Sequence, residues 1–144
     1  MRIERLERVD DASVEVVGRL LSQLSSSASP PSMEQVQQIV DAESTTIFVA
    51  RVDDRIVGML TLAVFAIPSG VRAWIEDVVV DRAVRGRGVG GSLTRAALAH
   101  AAARGARTVD LTSRPSRGAA NVMYEHLGFQ RRDTNVYRYE LARV

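Results

Sequence analysis

The segment that most constrains this chain runs from Arg72 to Thr112. It opens on a β-branched run, Arg72–Val80, that ends in Val78-Val79-Val80. It then crosses a loop of glycine and arginine, Asp81–Val89, and continues as an alanine-rich helix, Gly90–Arg104, with Gly105 placed as its C-cap. Thr108–Thr112 reads as a second strand. Strand, crossover helix and strand make two parallel neighbours joined by a right-handed connection. A fully apolar strand end belongs near the centre of a sheet covered on both faces. An α/β protein follows.

The other elements fit around this unit. Arg2–Glu7 is an opening strand. Asp10 or Asp11 caps a helix whose apolar stripe is Val14, Val17, Leu20, Leu21 and Leu24. Ser25–Ser32 is a loop, and Ser32 with Gln35 forms a capping box ahead of a helix carrying Val36, Ile39 and Val40. Thr45–Val52 and Ile56–Phe65 are strands joined by the hairpin signal Val52-Asp53-Asp54-Arg55, and Ala66–Val71 breaks the pattern. After the crossover unit come a helix over Ala119–Leu127, closed by Gly128, and one bent strand or two short ones over Phe129–Leu141. The predicted architecture is a mixed central sheet of six to seven strands with helices on both faces, in one domain spanning 1–144.

Composition narrows the chemistry. Hydrophobic residues at 46% and charged residues at 25% suit a globular domain rather than a disordered one. Cysteine is absent, which removes disulfides and thiolate catalysis, and with only His100 and His126 no histidine-rich metal cage can form; no metal is expected. Both histidines read as surface residues of their helices. No apolar run approaches the ~18 residues of a membrane span, and MRIERLERVDD lacks a signal peptide's apolar core, so a soluble, cytoplasmic protein without membrane contact is expected. All 19 basic residues are arginine. Residues 1–80 hold 7 of them against 12 Asp and Glu, whereas residues 81–144 hold 12 against 5. The second half is thus suited to an anion. A net charge of +2, 5% aromatics and no nucleic-acid motif favour a phosphorylated small molecule over DNA or RNA.

The loop Asp81–Gly91 says where that anion would sit. Its glycines let backbone N–H groups converge on one point, the following helix N-terminus adds positive partial charge, and Arg82, Arg85 and Arg87 strengthen the field. A pyrophosphate fits such a loop. Gly86, Gly88 and Gly91 also satisfy the spacing G-x-G-x-x-G, but Asp81–Arg85 separate them from the strand that a dinucleotide fingerprint should follow directly. The lysine-containing phosphate loop is ruled out by the absence of lysine.

Arg85-x-x-Gly88-x-Gly90 resembles the R/Q-x-x-G-x-G/A acetyl-CoA loop of the GNAT N-acetyltransferase superfamily. Ile75–Val80 is similar to that family's fourth strand. Ala119–Phe129 is similar to its later helix, which ends in Tyr-x-x-x-Gly-Phe. The resemblance implies acetyl-CoA as donor and an amine as acceptor. It places the pantetheine against main-chain groups of Val78, Val79 and Val80, and the phosphates at Arg85, Gly86, Arg87, Gly88, Val89, Gly90 and Gly91. Asn121 would bind the pantetheine or fix the helix, and Tyr124 would protonate the departing thiolate. A main-chain N–H, that of Val78, would polarise the thioester carbonyl.

Strand alternation sends Glu76 and Asp77 to opposite faces, and Glu76, between Trp74 and Val78, is the candidate general base, acting directly or through a water chain. On the later helix Asn121 and Tyr124 share one side, with Val122, Met123 and Leu127 on the core side. The acidic first half favours a cationic amine. Homodimers are common in the resembling family, and an exposed edge strand would permit one. The alternative on the same fold is a non-catalytic acyl-CoA-binding sensor or interaction module.

Overall fold

The computed structural model describes residues 1–142. They form two compact units, the first ending at Thr112 and the second beginning at Ser113. In the first unit, strands β1 (Arg2–Arg5), β2 (Thr45–Val52), β3 (Arg55–Ile67), β4 (Gly70–Val80) and β5 (Thr108–Asp110) build one sheet in the order β1-β2-β3-β4-β5. All neighbours are antiparallel except β4 and β5, which are parallel as the crossover unit requires. Helices α1 (Asp11–Leu24), α2 (Met33–Asp41) and α3 (Val89–Ala103) complete the unit.

Caps set the helix starts. Asp10 accepts from the Ser13 amide at 2.9 Å while Ser13 Oγ accepts from the Asp10 amide, and Ser32 and Gln35 make the same reciprocal pair ahead of α2. The stripe of α1 buries Val17 and Leu20 with Val36 of α2 against Ile47, Val49, Met59 and Val79 of the sheet. The opposite face carries Phe48, whose ring meets His100 of α3 edge-on at 5.6 Å, and Gly58, where an added Cβ would lie 3.1 Å from Leu93 and Val89. Helices therefore cover both faces of the sheet. At the end of α3 the Ala106 amide reaches Ala101 O and the Gly105 amide reaches Ala102 O, a double closure that φ +84° at Gly105 permits.

Three expectations are corrected. Five strands form the sheet among the described residues, not six to seven, because residues 129–142 adopt no ladder. The Ala66–Val71 break is narrower than Pro68 and Gly70 suggested: β3 runs to Ile67 and β4 starts at Gly70, paired across a tight turn. The third correction lies in β4, where Met59 pairs with Val79 but Thr61 pairs with Glu76. One extra residue is accommodated there by a bulge at Asp77, whose φ is +50°.

The second unit contains α4 (Gly118–His126). Its C-terminus explains the Tyr-x-x-x-Gly-Phe pattern physically. The Gly128 amide donates to Glu125 O and the Phe129 amide to Tyr124 O, both at 3.0 Å, while the Tyr124 and Phe129 rings meet edge-on at 5.6 Å. This is a Schellman closure with its hydrophobic contact, and glycine supplies the φ of +100°. Val122, expected on the core side, is instead 54% exposed, and Tyr124 is the buried residue of the helix.

Candidate active site

Cross-strand register decides which face each β4 residue occupies. Glu76 pairs with Thr61, which pairs with Ile47, so Glu76 lies on the face that α1 and α2 cover. Ile75 pairs with Leu62 and belongs to the α3 face. Beyond the bulge the order is inverted, and Val79, paired with Met59, now lies on the α1 and α2 face. A one-residue slip flips every later side chain, and here it lets β4 serve both cores. The expected alternation of Glu76 and Asp77 fails at this point. Both are exposed, and the left-handed Asp77 re-aims the strand between them.

Glu76 accepts a hydrogen bond from Trp74 Nε1 at 2.8 Å. No arginine lies within ion-pair distance of Glu76 or Asp77 among the described residues. Partial desolvation, and then the neighbouring charge of Glu76, push the Asp77 carboxyl above its ordinary value. Sequence reasoning passed over Trp74, although its i, i+2 spacing to Glu76 on a strand was a usable signal.

β5 pairs with β4 only from Arg72 to Trp74, so the edge of β4 from Ile75 to Val80 has no neighbouring strand among the described residues. The Asp81 amide donates to Val57 O at 2.8 Å, and Val79, two residues earlier, is aimed likewise at β3. Val78 and Val80 thus turn their polar groups toward the open edge. One of these is already engaged: Arg85 Nε donates to Val80 O at 3.2 Å.

The loop after β4 is held from α1. Arg19 pairs with Asp81 at 2.8 Å, Gln23 accepts from the Arg82 amide at 3.0 Å, and a short 3-10 turn spans Arg82–Val84. These contacts, with the Ala83 amide, hold the Asp81 carboxyl below its ordinary value. Gly86 and Gly88 then take φ of +80° and +79°, with open space around the position of a Cβ at each. Gly88 caps α3 without a side-chain partner, so no capping side chain takes up the first helical N–H groups. Arg82, Arg85 and Arg87 are all exposed around this terminus, while Val89 and Gly91 are buried. The loop fits a phosphorylated ligand.

In the second unit, Asn121 Nδ2 donates to Arg114 O at 3.0 Å and so closes the loop ahead of α4. Burial raises the Tyr124 hydroxyl above its ordinary value, slightly offset by Arg117, which keeps the phenol protonated near neutral pH. His126 is exposed as expected. His100 is not a simple surface residue: its Nε2 is buried without a hydrogen-bond partner. Desolvation, then Arg5 and Arg104, lowers its pKa.

The model of the acetyltransferase (GNAT) family matches residues 15–129. The chain belongs to the GNAT acetyltransferase family. No curated protein matches the sequence. Among solved structures, this GNAT acetyltransferase is similar to a protein of Agrobacterium tumefaciens str. C58 assigned as an acetyltransferase, with a TM-score of 0.86, 22% identity, and 97% and 100% of the two chains covered. It is similar also to the aminoglycoside acetyltransferase meta-AAC0020 from an uncultured soil sample, solved with sisomicin (TM-score 0.84, 23% identity, 99% and 96% covered). A third is a Trypanosoma brucei acetyltransferase (TM-score 0.75, 28% identity, 97% and 99% covered). GNAT enzymes use acetyl-CoA, and the glycine loop and open β4 edge are the parts of this member that suit it.

Proposed function

We propose that this GNAT-family enzyme transfers the acetyl group of acetyl-CoA directly to a cationic amine, without a covalent acyl-enzyme. The observation that carries the reading is the uncapped N-terminus of α3, opened by Gly86 and Gly88 and followed back along the chain by the unpaired β4 edge. N–H groups of residues 88–91, with the loop arginines, hold the pyrophosphate. Main-chain groups of Val78 and Val80 hold the pantetheine, and the Val78 N–H polarises the thioester carbonyl.

Glu76, oriented by Trp74, takes the proton of the incoming ammonium, directly or through water, and Asp77 beside it adds negative charge at the acceptor. Tyr124 donates its proton to the departing thiolate, and Asn121 keeps the loop ahead of α4 closed. Two carboxylates without arginine partners attract a cation and repel an anionic acceptor. The likeness to meta-AAC0020 makes aminoglycosides a natural first set of polycationic acceptors.

The test is a screen of amines with acetyl-CoA, read by free thiol release. Cationic amines should be turned over faster than acidic amino acids or sugar phosphates. Coenzyme A binding with no turnover of any amine would instead identify an acyl-CoA sensor.

A further inference from the structure

At the C-terminal end of α3, a cavity of about 620 Å³ lies between the last turns of α2 and α3 and the strands β1 and β2. The β1–β2 ladder closes there. The Leu6 amide donates to Ile47 O at 2.8 Å, and no later residue of the chain leaving β1 pairs with β2. Thr45 stands two residues before Ile47 and so turns its N–H and C=O to the same outer edge of β2. Neither group finds a main-chain partner among the described residues, and Thr45 is part of the cavity wall.

Charge around this open pair is divided. Arg5, His100 and Arg104 line one part of the cavity, and both arginines disfavour a proton on the His100 ring, which places their charges near it. Arg104 gives one N–H to Glu43 O at 3.2 Å and has no carboxylate partner among the described residues. Asp41 and Glu43 line the part at the end of α2, and neither is paired with a cation there. Asp41 accepts from Gln37 Nε2 at 2.8 Å. The last turn of α2 holds no basic residue, so its carbonyl end adds negative partial charge. Glu7, paired with Arg5 at 3.2 Å, is the remaining charged group of the wall.

We propose that this cavity binds a free α-amino acid with an aliphatic side chain, at a second site apart from the acetyl-transfer edge of β4. Such a molecule carries its donor and acceptor at the spacing of one strand residue, so it fits the place beside Thr45 that β1 has left. Its ammonium donates to Thr45 O, and its carboxylate accepts from the Thr45 N–H. The carboxylate then meets the charge of Arg104, and the ammonium meets that of Asp41 and the α2 terminus. A simple anion would be repelled by Asp41 and Glu43, and a simple cation by Arg5 and Arg104, whereas a zwitterion answers both. Leu6, Val40 and Ile47 supply apolar wall for the side chain. The volume falls in the ~300–1,000 Å³ range of small-molecule sites. β3 stands between β2 and β4, so the cavity shares no residue with the candidate active site, and the inference does not depend on the catalytic reading.

Calorimetric titration of the full chain with L-leucine, L-valine and L-methionine should show saturable binding of at least one, at one site per chain. For leucine the two matched halves are 3-methylbutylamine, which lacks the carboxylate, and 4-methylpentanoate, which lacks the amine. Each half should bind at least about tenfold more weakly, as for loss of one charged hydrogen bond. Arg104→Gln and Asp41→Asn should each weaken the amino acid by a similar factor, and Glu76→Gln should leave its affinity unchanged. In the wild type, the bound amino acid should slow hydrogen exchange at the Thr45 amide. Absence of saturable binding by all three amino acids would overturn the proposal, as would halves that bind as tightly as the whole. Affinity lost in Glu76→Gln and kept in Arg104→Gln would place the amino acid at the acceptor carboxylates and also overturn it. Should either cavity variant fail to fold, the Thr45 amide decides alone, and unaltered exchange there rejects the site.

Discussion

Trp74 Nε1 donates to Glu76 Oε1 at 2.8 Å, two residues apart on the same face of β4. An exposed carboxylate ordinarily samples several rotamers, and this hydrogen bond selects one. Trp74→Phe keeps a ring at the site and removes the donor. We expect kcat to fall about tenfold, equivalent to ~1.4 kcal/mol, with the KM for acetyl-CoA unchanged. Glu76→Gln should lower the rate more, and most at low pH, where more of the acceptor arrives protonated. A rate profile against pH for both variants checks the order.

Asp77 tests the bulge. Asn tolerates positive φ as Asp does, whereas a β-branched residue does not, so Asp77→Val should cost ~1–3 kcal/mol of stability and Asp77→Asn little. The Asp77 carboxyl has its pKa raised by folding, so the folded state holds the proton more tightly. Its charged form therefore opposes folding as pH rises through that raised value. Asp77→Asn should melt at or above the wild type at pH 7, and the difference should vanish in acid, below the ordinary carboxylate pKa. Thermal melts at pH 3 and pH 7 measure this.

Gly88 tests whether its loop holds the phosphates. Coenzyme A at 100 times its Kd should add ~2.7 kcal/mol to stability, a melting shift of roughly 5–10 °C, while NADH should do little. In Gly88→Leu the added Cβ meets no protein atom within 4 Å, but the side chain enters the space beside the α3 terminus and carries ~1–2 kcal/mol of left-handed strain. The variant should fold with a lower melting temperature and lose the coenzyme A shift. A full shift retained in Gly88→Leu would move the phosphates elsewhere.

Tyr124→Phe keeps the edge-on contact with Phe129 and deletes only the hydroxyl. Stability should change little. If thiolate departure limits turnover, kcat should fall roughly 10²–10⁴-fold, as for loss of one general acid. Single-turnover acetylation separates this from slow product release.

His100 should make the fold acid-sensitive. Its pKa is lowered by folding, so it contributes stability above its ordinary value of about 6.5, and that stability is lost as pH falls through 6.5 toward the folded value. His100→Phe should flatten the dependence of melting temperature on pH between 5 and 7.

Much of the molecule follows from local sequence. Asp10 with Ser13 and Ser32 with Gln35 start helices by contacts three residues long, and Gly105 and Gly128 end them through backbone conformation alone. The parallel pairing of β4 with β5 follows from the length of the crossover, and the left-handed turns of the loop before α3 from Gly86 and Gly88. What tertiary structure alone decided depends on neighbours distant in sequence. The bulge at Asp77 arises because one strand must present Ile75 to α3 and Val79 to α1, and no pattern within β4 announces the slip. The segment after α4 makes the converse point: Tyr137 and Tyr139 alternate with Arg138 and Glu140 as a strand would, yet residues 129–142 form no ladder among the described residues, because a strand exists only where an edge receives its main-chain groups.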